Sequence, residues 1–278
     1  MAENDISQLT KRALEHGFMV MPFAFNDVAE RALRMEALNN MLRDAHIREF
    51  VMDHIIDRLT YVRDYLINKS INFMVIAKDI NGQPICVAHF IYSKSSHLLY
   101  LKDYIIKKDA ATDSKMILAF IVNGAKDYMA GYGFIPKAII SSPSVKQKGL
   151  AAVNFMREMG MKFMTFEPKV EGAAGGHYHP LGGSETLHHQ LDKGIVVFPL
   201  KSGRRVTDIR VLMATKCNTN KFALDDKVIT RFLADLEAED ELHALYMLLS
   251  NSKFTISLRK VDEFQKLDSL LGALQRRH

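Results

Sequence analysis

A change of hydrophobic period near residue 70 constrains this chain more than any other feature. Three short apolar runs follow one another there: INFMVIA (Ile71–Ala77), ICVAHFIY (Ile85–Tyr92) and LLYLKDYIIKK (Leu98–Lys108). Each is rich in β-branched and aromatic residues, and Asp79-Ile80-Asn81-Gly82 between the first two is a cluster of turn formers. Connections this short join antiparallel strands, because a parallel pair needs a crossover of a dozen or more residues. The spacing therefore predicts a three-strand meander.

Helical periods flank it. Residues 1–20 read as a short helix running into the extended stretch VMPFAF, where Pro22 ends any helix. Asn26 or Asp27 can cap a helix striped by Val28, Ala32, Met35, Leu38, Leu42 and Ala45, and a second helix runs through Phe50, Ile55, Leu59, Val62 and Leu66. Beyond Lys108, Asp109 or Thr112 can cap a helix whose run MILAFIV (Met116–Val122) is apolar all round and so must be buried. Gly131-Tyr132-Gly133 stops it. AIIS (Ala138–Ser141) then reads as a buried strand, parallel to the one before the helix through a right-handed crossover. A helix over about Val145–Met159 stops at Gly160 before the strand MKFMTFE (Met161–Glu167).

Residues 168–193 break this regularity, with five glycines, two prolines and four of the eleven histidines. A loop this long is usually functional or without fixed structure. Strands over Gly194–Leu200 and Val206–Thr215, and helices over Asp225–Leu249 and Val261–Arg276 bracketing KFTISLR, complete the pattern. The expected class is α+β: a mixed sheet with an antiparallel meander and a parallel strand pair, plus a C-terminal α/β extension. The expected division is a domain over 1–200, its core at about 20–200, and an extension over 201–278. That extension could serve as an accessory subdomain, a homodimer element or a partner-binding module.

Composition excludes several classes. At 48% apolar and 25% charged, the 278-residue chain is neither disordered nor collagen-like. Two cysteines, Cys86 and Cys217, make no disulfide framework and no four-cysteine zinc site, so a reducing, cytoplasmic setting is expected. The N-terminus lacks the apolar core of a signal peptide, and no apolar run reaches the ~18 residues of a membrane span. The net charge of +5 comes from 37 basic and 32 acidic residues that are dispersed, which argues against a nucleic-acid track.

The order of these elements resembles the GNAT N-acetyltransferase family. FMVIAKDINGQPICVAHF resembles the family's second and third strands, LLYLKDYII its fourth, and AAVNFMREMGMKF (Ala151–Phe163) its helix-four signature. The resemblance covers about residues 20–200. It implies an acyltransferase that takes an acetyl or other acyl group from acetyl-CoA or another acyl-CoA to an amine acceptor, a small molecule or a protein. In that family the pantetheine arm lies in a gap where the fourth and fifth strands splay apart. A glycine-rich turn at a helix N-terminus binds the pyrophosphate through amide N–H groups and the helix dipole.

Carried onto this chain, the resemblance points to Ile106, Lys107, Lys108, Thr112, Asp113, Ser114 and Lys115 for the acyl-CoA. Asp103 is the expected base for an attacking amine, and Tyr104 and Ser142 are candidate proton donors or relays. The segment 168–193 corresponds to a loop bordering the acceptor, with His177, His179 and His188 as contacts. His177-Tyr178-His179 with His188-His189 and Glu185 also has the form of a metal-ligand set, but without a nearby cysteine no metal is expected.

Two departures stand out. Ala111–Met116 contains no glycine where the family has its phosphate turn, and Met156 stands where many members place a proton-donating tyrosine. Met156 fits the apolar stripe of Leu150 and Val153, so a core position is expected. The same losses suit two other readings: a GNAT fold reused for binding, or a transferase whose donor is not acyl-CoA.

Overall fold

The meander forms as the spacing predicts. In the computed structural model, β1 (Met19–Ala24), β2 (Ser70–Lys78), β3 (Pro84–Ser93) and β4 (Leu98–Ile106) pair antiparallel in sequence order. The structure describes residues 2–24, 70–107, 113–143, 145–168, 197–202, 205–217, 226–235 and 254–259. It divides into two compact units, Met1–Ile139 and Ile140–His278. The helices expected over 27–66 lie outside the described residues.

Local chemistry closes the β2–β3 turn. Asp79 Oδ1 accepts the N–H groups of Asn81 at 2.9 Å and Gln83 at 2.8 Å. Gly82 takes the left-handed φ of +73° that a side chain would resist. The first unit also holds α1 (Ala2–Glu15) and α2 (Ser114–Gly131), after which β5 (Ala138–Ser141) runs parallel to β4. The chain is thus an α+β protein with a mixed sheet containing antiparallel strands and one parallel pair.

Every residue from Met116 to Val122 is buried, because α2 is covered on two sides. Asn123 Nδ2 donates to Thr10 Oγ1 of α1 on one side. On the other, the Tyr128 ring lies 5.0 Å from Phe73 of β2, and Phe73 stacks on Phe90 at 5.6 Å. Gly124 permits the close approach, since a Cβ there would stand 3.0 Å from Val20 Cγ2. Each buried large apolar side chain contributes about 1.5–3 kcal/mol, which makes this helix the anchor of the unit. Its N-cap is Asp113, not Asp109 or Thr112 as the sequence suggests. Several residues there have capping chemistry, so local sequence does not single one out.

The second unit departs more from expectation. α3 (Val145–Glu158) buries Ala152, Val153 and Met156, so Met156 is a core residue. Gly160 closes the helix at φ +82°, and β6 (Lys162–Pro168) comes next. The single strand expected over Val206–Thr215 is two strands, β8 (Arg205–Val211) and β9 (Met213–Lys216), broken at Leu212. They serve different partners: β8 pairs with β7 (Val197–Ser202) in a two-stranded sheet, while β9 pairs with β6. The strand β6 does not pair with β7. β6 instead takes β9 and, antiparallel, β10 (Phe254–Arg259). The helix α4 (Asp226–Asp235) buries Ile229 and Phe232. The helix stretches expected over 236–249 and 261–276 lie outside the described residues.

The β3–β4 turn carries a pH-sensitive contact. His97 adopts φ +57°, unusual for a residue other than glycine, and its Nδ1 lies 2.8 Å from Tyr92 Oη. Burial pushes the Tyr92 phenol up to about 12, so it keeps its proton and donates. Burial, then the Lys137 charge, lowers the pKa of His97, so the ring is neutral and accepts. The unfolded chain therefore protonates His97 first. The stability from this contact is present above the ordinary histidine pKa of about 6.5 and is lost as pH falls from there through the folded value. Urea unfolding at pH 7.5 and 5.5 should give a smaller pH loss for His97→Asn, which tolerates the left-handed backbone, than for wild type.

Candidate functional site

The site begins with an irregularity in β4. Phe90 pairs with Leu101 and His89 with Asp103, which leaves Lys102 as the extra residue of a β-bulge. Bulges bend a strand and re-aim its side chains, and they concentrate next to active sites. Exposure changes at the same point. Leu98–Leu101 are buried, and Lys102–Ile106 are half-buried. β4 and β5 start in step, with Lys137 N–H donating to His97 O at 2.8 Å. β4 has nine residues and β5 four, so the second half of β4 outruns its parallel neighbour.

Register assigns the faces. Tyr104 lies opposite Ala88 and Ile106 opposite Cys86, on the α2 side of the sheet with Phe73 and Phe90. Asp103 lies on the other face, opposite His89. The two adjacent candidates therefore serve different faces. Asp103 Oδ1 accepts the Tyr104 N–H at 2.8 Å, which fixes the carboxylate beside its own strand. Burial, then the charge of Asp103, then Cys86, push the Tyr104 pKa well up, so its phenol stays neutral. A phenol that holds its proton this firmly is a poor general acid but remains a hydrogen-bond donor.

Past β4, Lys107 N–H donates to Ile85 O at 2.8 Å, and the Lys107 side chain is half-buried. Lys108 and Thr112 lie outside the described residues. At the start of α2 the Asp113 carboxylate accepts the Lys115 N–H at 3.0 Å, with Ser114 exposed and Lys115 half-buried. A negative side chain thus covers one of the amides that would otherwise face an anion. Ser142 belongs to the second unit. It is buried, and its carbonyl accepts from Arg210 Nη1 at 3.0 Å. His177, His179 and His188 lie outside the described residues. Among the described residues no group of three His, Cys, Asp or Glu side chains could hold a metal ion, and no helix is long and apolar enough to cross a membrane.

Sequence reasoning missed two residues on the Asp103 face. His89 is fully buried, and its Nε2 lies 3.3 Å from Oδ1 of Asn72, also buried. The available signal was a polar residue within each apolar run, Asn72 in INFMVIA and His89 in ICVAHFIY.

No protein-family model and no curated protein matches the chain. Among solved structures it is similar to the aminoglycoside 6'-N-acetyltransferase from Enterococcus faecium, at 11% identity over 73% of this chain and 99% of that one, TM-score 0.39. A probable acetyltransferase from Staphylococcus epidermidis is similar at 10% identity over 72% and 99%, TM-score 0.38. A spermidine/spermine N-acetyltransferase from Vibrio cholerae is similar at 15% identity over 71% and 92%, TM-score 0.34.

The cap makes a direct prediction. Asp113→Ala should cost ~1 kcal/mol of stability, and Asp113→Ser, which also caps, a few tenths. Thermal melts of the two variants against wild type check it.

Proposed function

We propose that this protein is a GNAT-like acyltransferase that moves an acetyl or other acyl group from an acyl-CoA to an amine. The observation that carries the reading is the bulged β4, half-buried beyond Leu101 and succeeded by a crossover helix and a short parallel strand. The second half of β4 is the track for the pantetheine arm, and its amides stabilise the oxyanion of the tetrahedral intermediate. Asp103 takes the proton of the attacking amine, and Tyr104 acts as a neutral hydrogen-bond donor on the other face.

The fit is uneven along the donor. Its thioester arm suits β4, but the diphosphate meets a helix start without glycine and with Asp113 as cap. The positive side chains of Lys107, Lys108 and Lys115 therefore hold the phosphates, aided by Ile106 and the amides of 112–114. Asp113 is also the observation that favours a second reading, in which the acyl donor carries no diphosphate or the fold only binds.

Calorimetric titration with acetyl-CoA and with CoA separates these readings. Binding that weakens by roughly tenfold or more (~1.4 kcal/mol) in a Lys107/Lys108/Lys115→Ala variant supports the acyl-CoA site. Asp113→Ser should bind acetyl-CoA about two- to fivefold tighter, since it removes like charge while keeping the cap. No heat and no thermal shift at millimolar acetyl-CoA would overturn the acyl-CoA reading.

A further inference from the structure

On the face of the sheet turned from α2, polar residues interrupt strands that are otherwise apolar. Asn72 and His89 are buried, and Asp103 is the half-buried member at the strand that carries the proposed chemistry. A buried polar group without full hydrogen bonding costs about 1–3 kcal/mol, which an apolar side chain would avoid. The arrangement is ordered. His89 Nε2 lies 3.3 Å from Asn72 Oδ1. With that oxygen accepting, Nε2 carries the proton and Nδ1 is the nitrogen that titrates. The strand register sets His89 opposite Asp103, at the bulge where the β4 side chains are re-aimed.

We propose that His89 is a positioning residue for Asp103: oriented by Asn72, it forms with Asp103 a two-residue proton acceptor for the amine nucleophile. The inference rests on the acyl-transfer reading. In the step, the amine lone pair forms the C–N bond to the thioester carbonyl carbon. The C–S bond breaks and its electron pair leaves on sulfur. The proton lost by nitrogen passes to Asp103 and is shared with His89, then goes to solvent, from which the thiolate takes one. Asp103 touches the substrate, and His89 acts through it. In the row that crosses β2, β3 and β4 at this point, Met74, His89 and Asp103, the ionisable groups are His89 and Asp103, and Lys102 of the bulge is Asp103's neighbour in the chain.

The coupling is measurable without turnover. In histidine-labelled full-length protein, the NMR titration midpoint of His89 should fall by about one pH unit or more, tenfold in proton affinity, in Asp103→Asn. A midpoint unchanged within about 0.2 unit overturns the pair. Asp103 is half-buried and its asparagine isosteric, so this arm does not depend on a buried substitution. The second arm is the pH–rate profile of CoA release from acetyl-CoA with n-butylamine as probe acceptor. His89→Gln should move the acid limb of the profile, whereas a purely structural role would lower the rate equally at all pH. Coupling without any acetyl-CoA binding or transfer would overturn the acyl-transfer reading and with it the catalytic use of the pair. Binding and transfer without coupling would overturn the pair alone.

Discussion

The first unit depends on the burial of α2. The run Met116–Val122 is apolar all round and cannot face water on any side, so the chain must supply cover on both. α1 does so on one face and the sheet on the other, through Thr10–Asn123 and Phe73–Tyr128. Placing the helix there fixes the crossover that makes β5 parallel to β4.

That placement produces a contrast within one strand. The first half of β4 is core, and the second half, after one extra residue, is not. A regular strand of nine residues would bury its alternate side chains throughout. The bulge at Lys102 ends that regularity, and the residues beyond it are half-buried. The two faces differ: Tyr104 lies on the helix side, where burial keeps its phenol neutral, and Asp103 lies on the face of His89 and Asn72. The division explains why the side chains of these adjacent candidates lie on opposite faces of the sheet although Asp103 accepts the Tyr104 N–H.

The legible parts of this chain are those coded by local period. The strands of the meander, the buried crossover helix, the strand after it and the core position of Met156 are all encoded by spacing within a dozen residues. Errors arise where the deciding partner is distant. Val206–Thr215 is one unbroken apolar pattern, yet its halves bond to different strands and separate at Leu212. The partner of β6 is not the next strand but β9 and β10, and nothing local in MKFMTFE encodes that. Asp113 caps α2, and several residues near it in the sequence have equal capping chemistry. His89 is silent in the sequence because a single histidine in an apolar run reads as packing; only the register, which brings Asp103 opposite, gives it meaning.

The central claim is that an acyl thioester lies along the second half of β4. Hydrogen–deuterium exchange with and without saturating acetyl-CoA measures it most directly. The account predicts slowed exchange at the amides of Lys102–Lys107 and Ser114–Met116, with β2 and the β3–β4 turn unchanged. Unaltered exchange at those amides, or protection confined to another region, would contradict it.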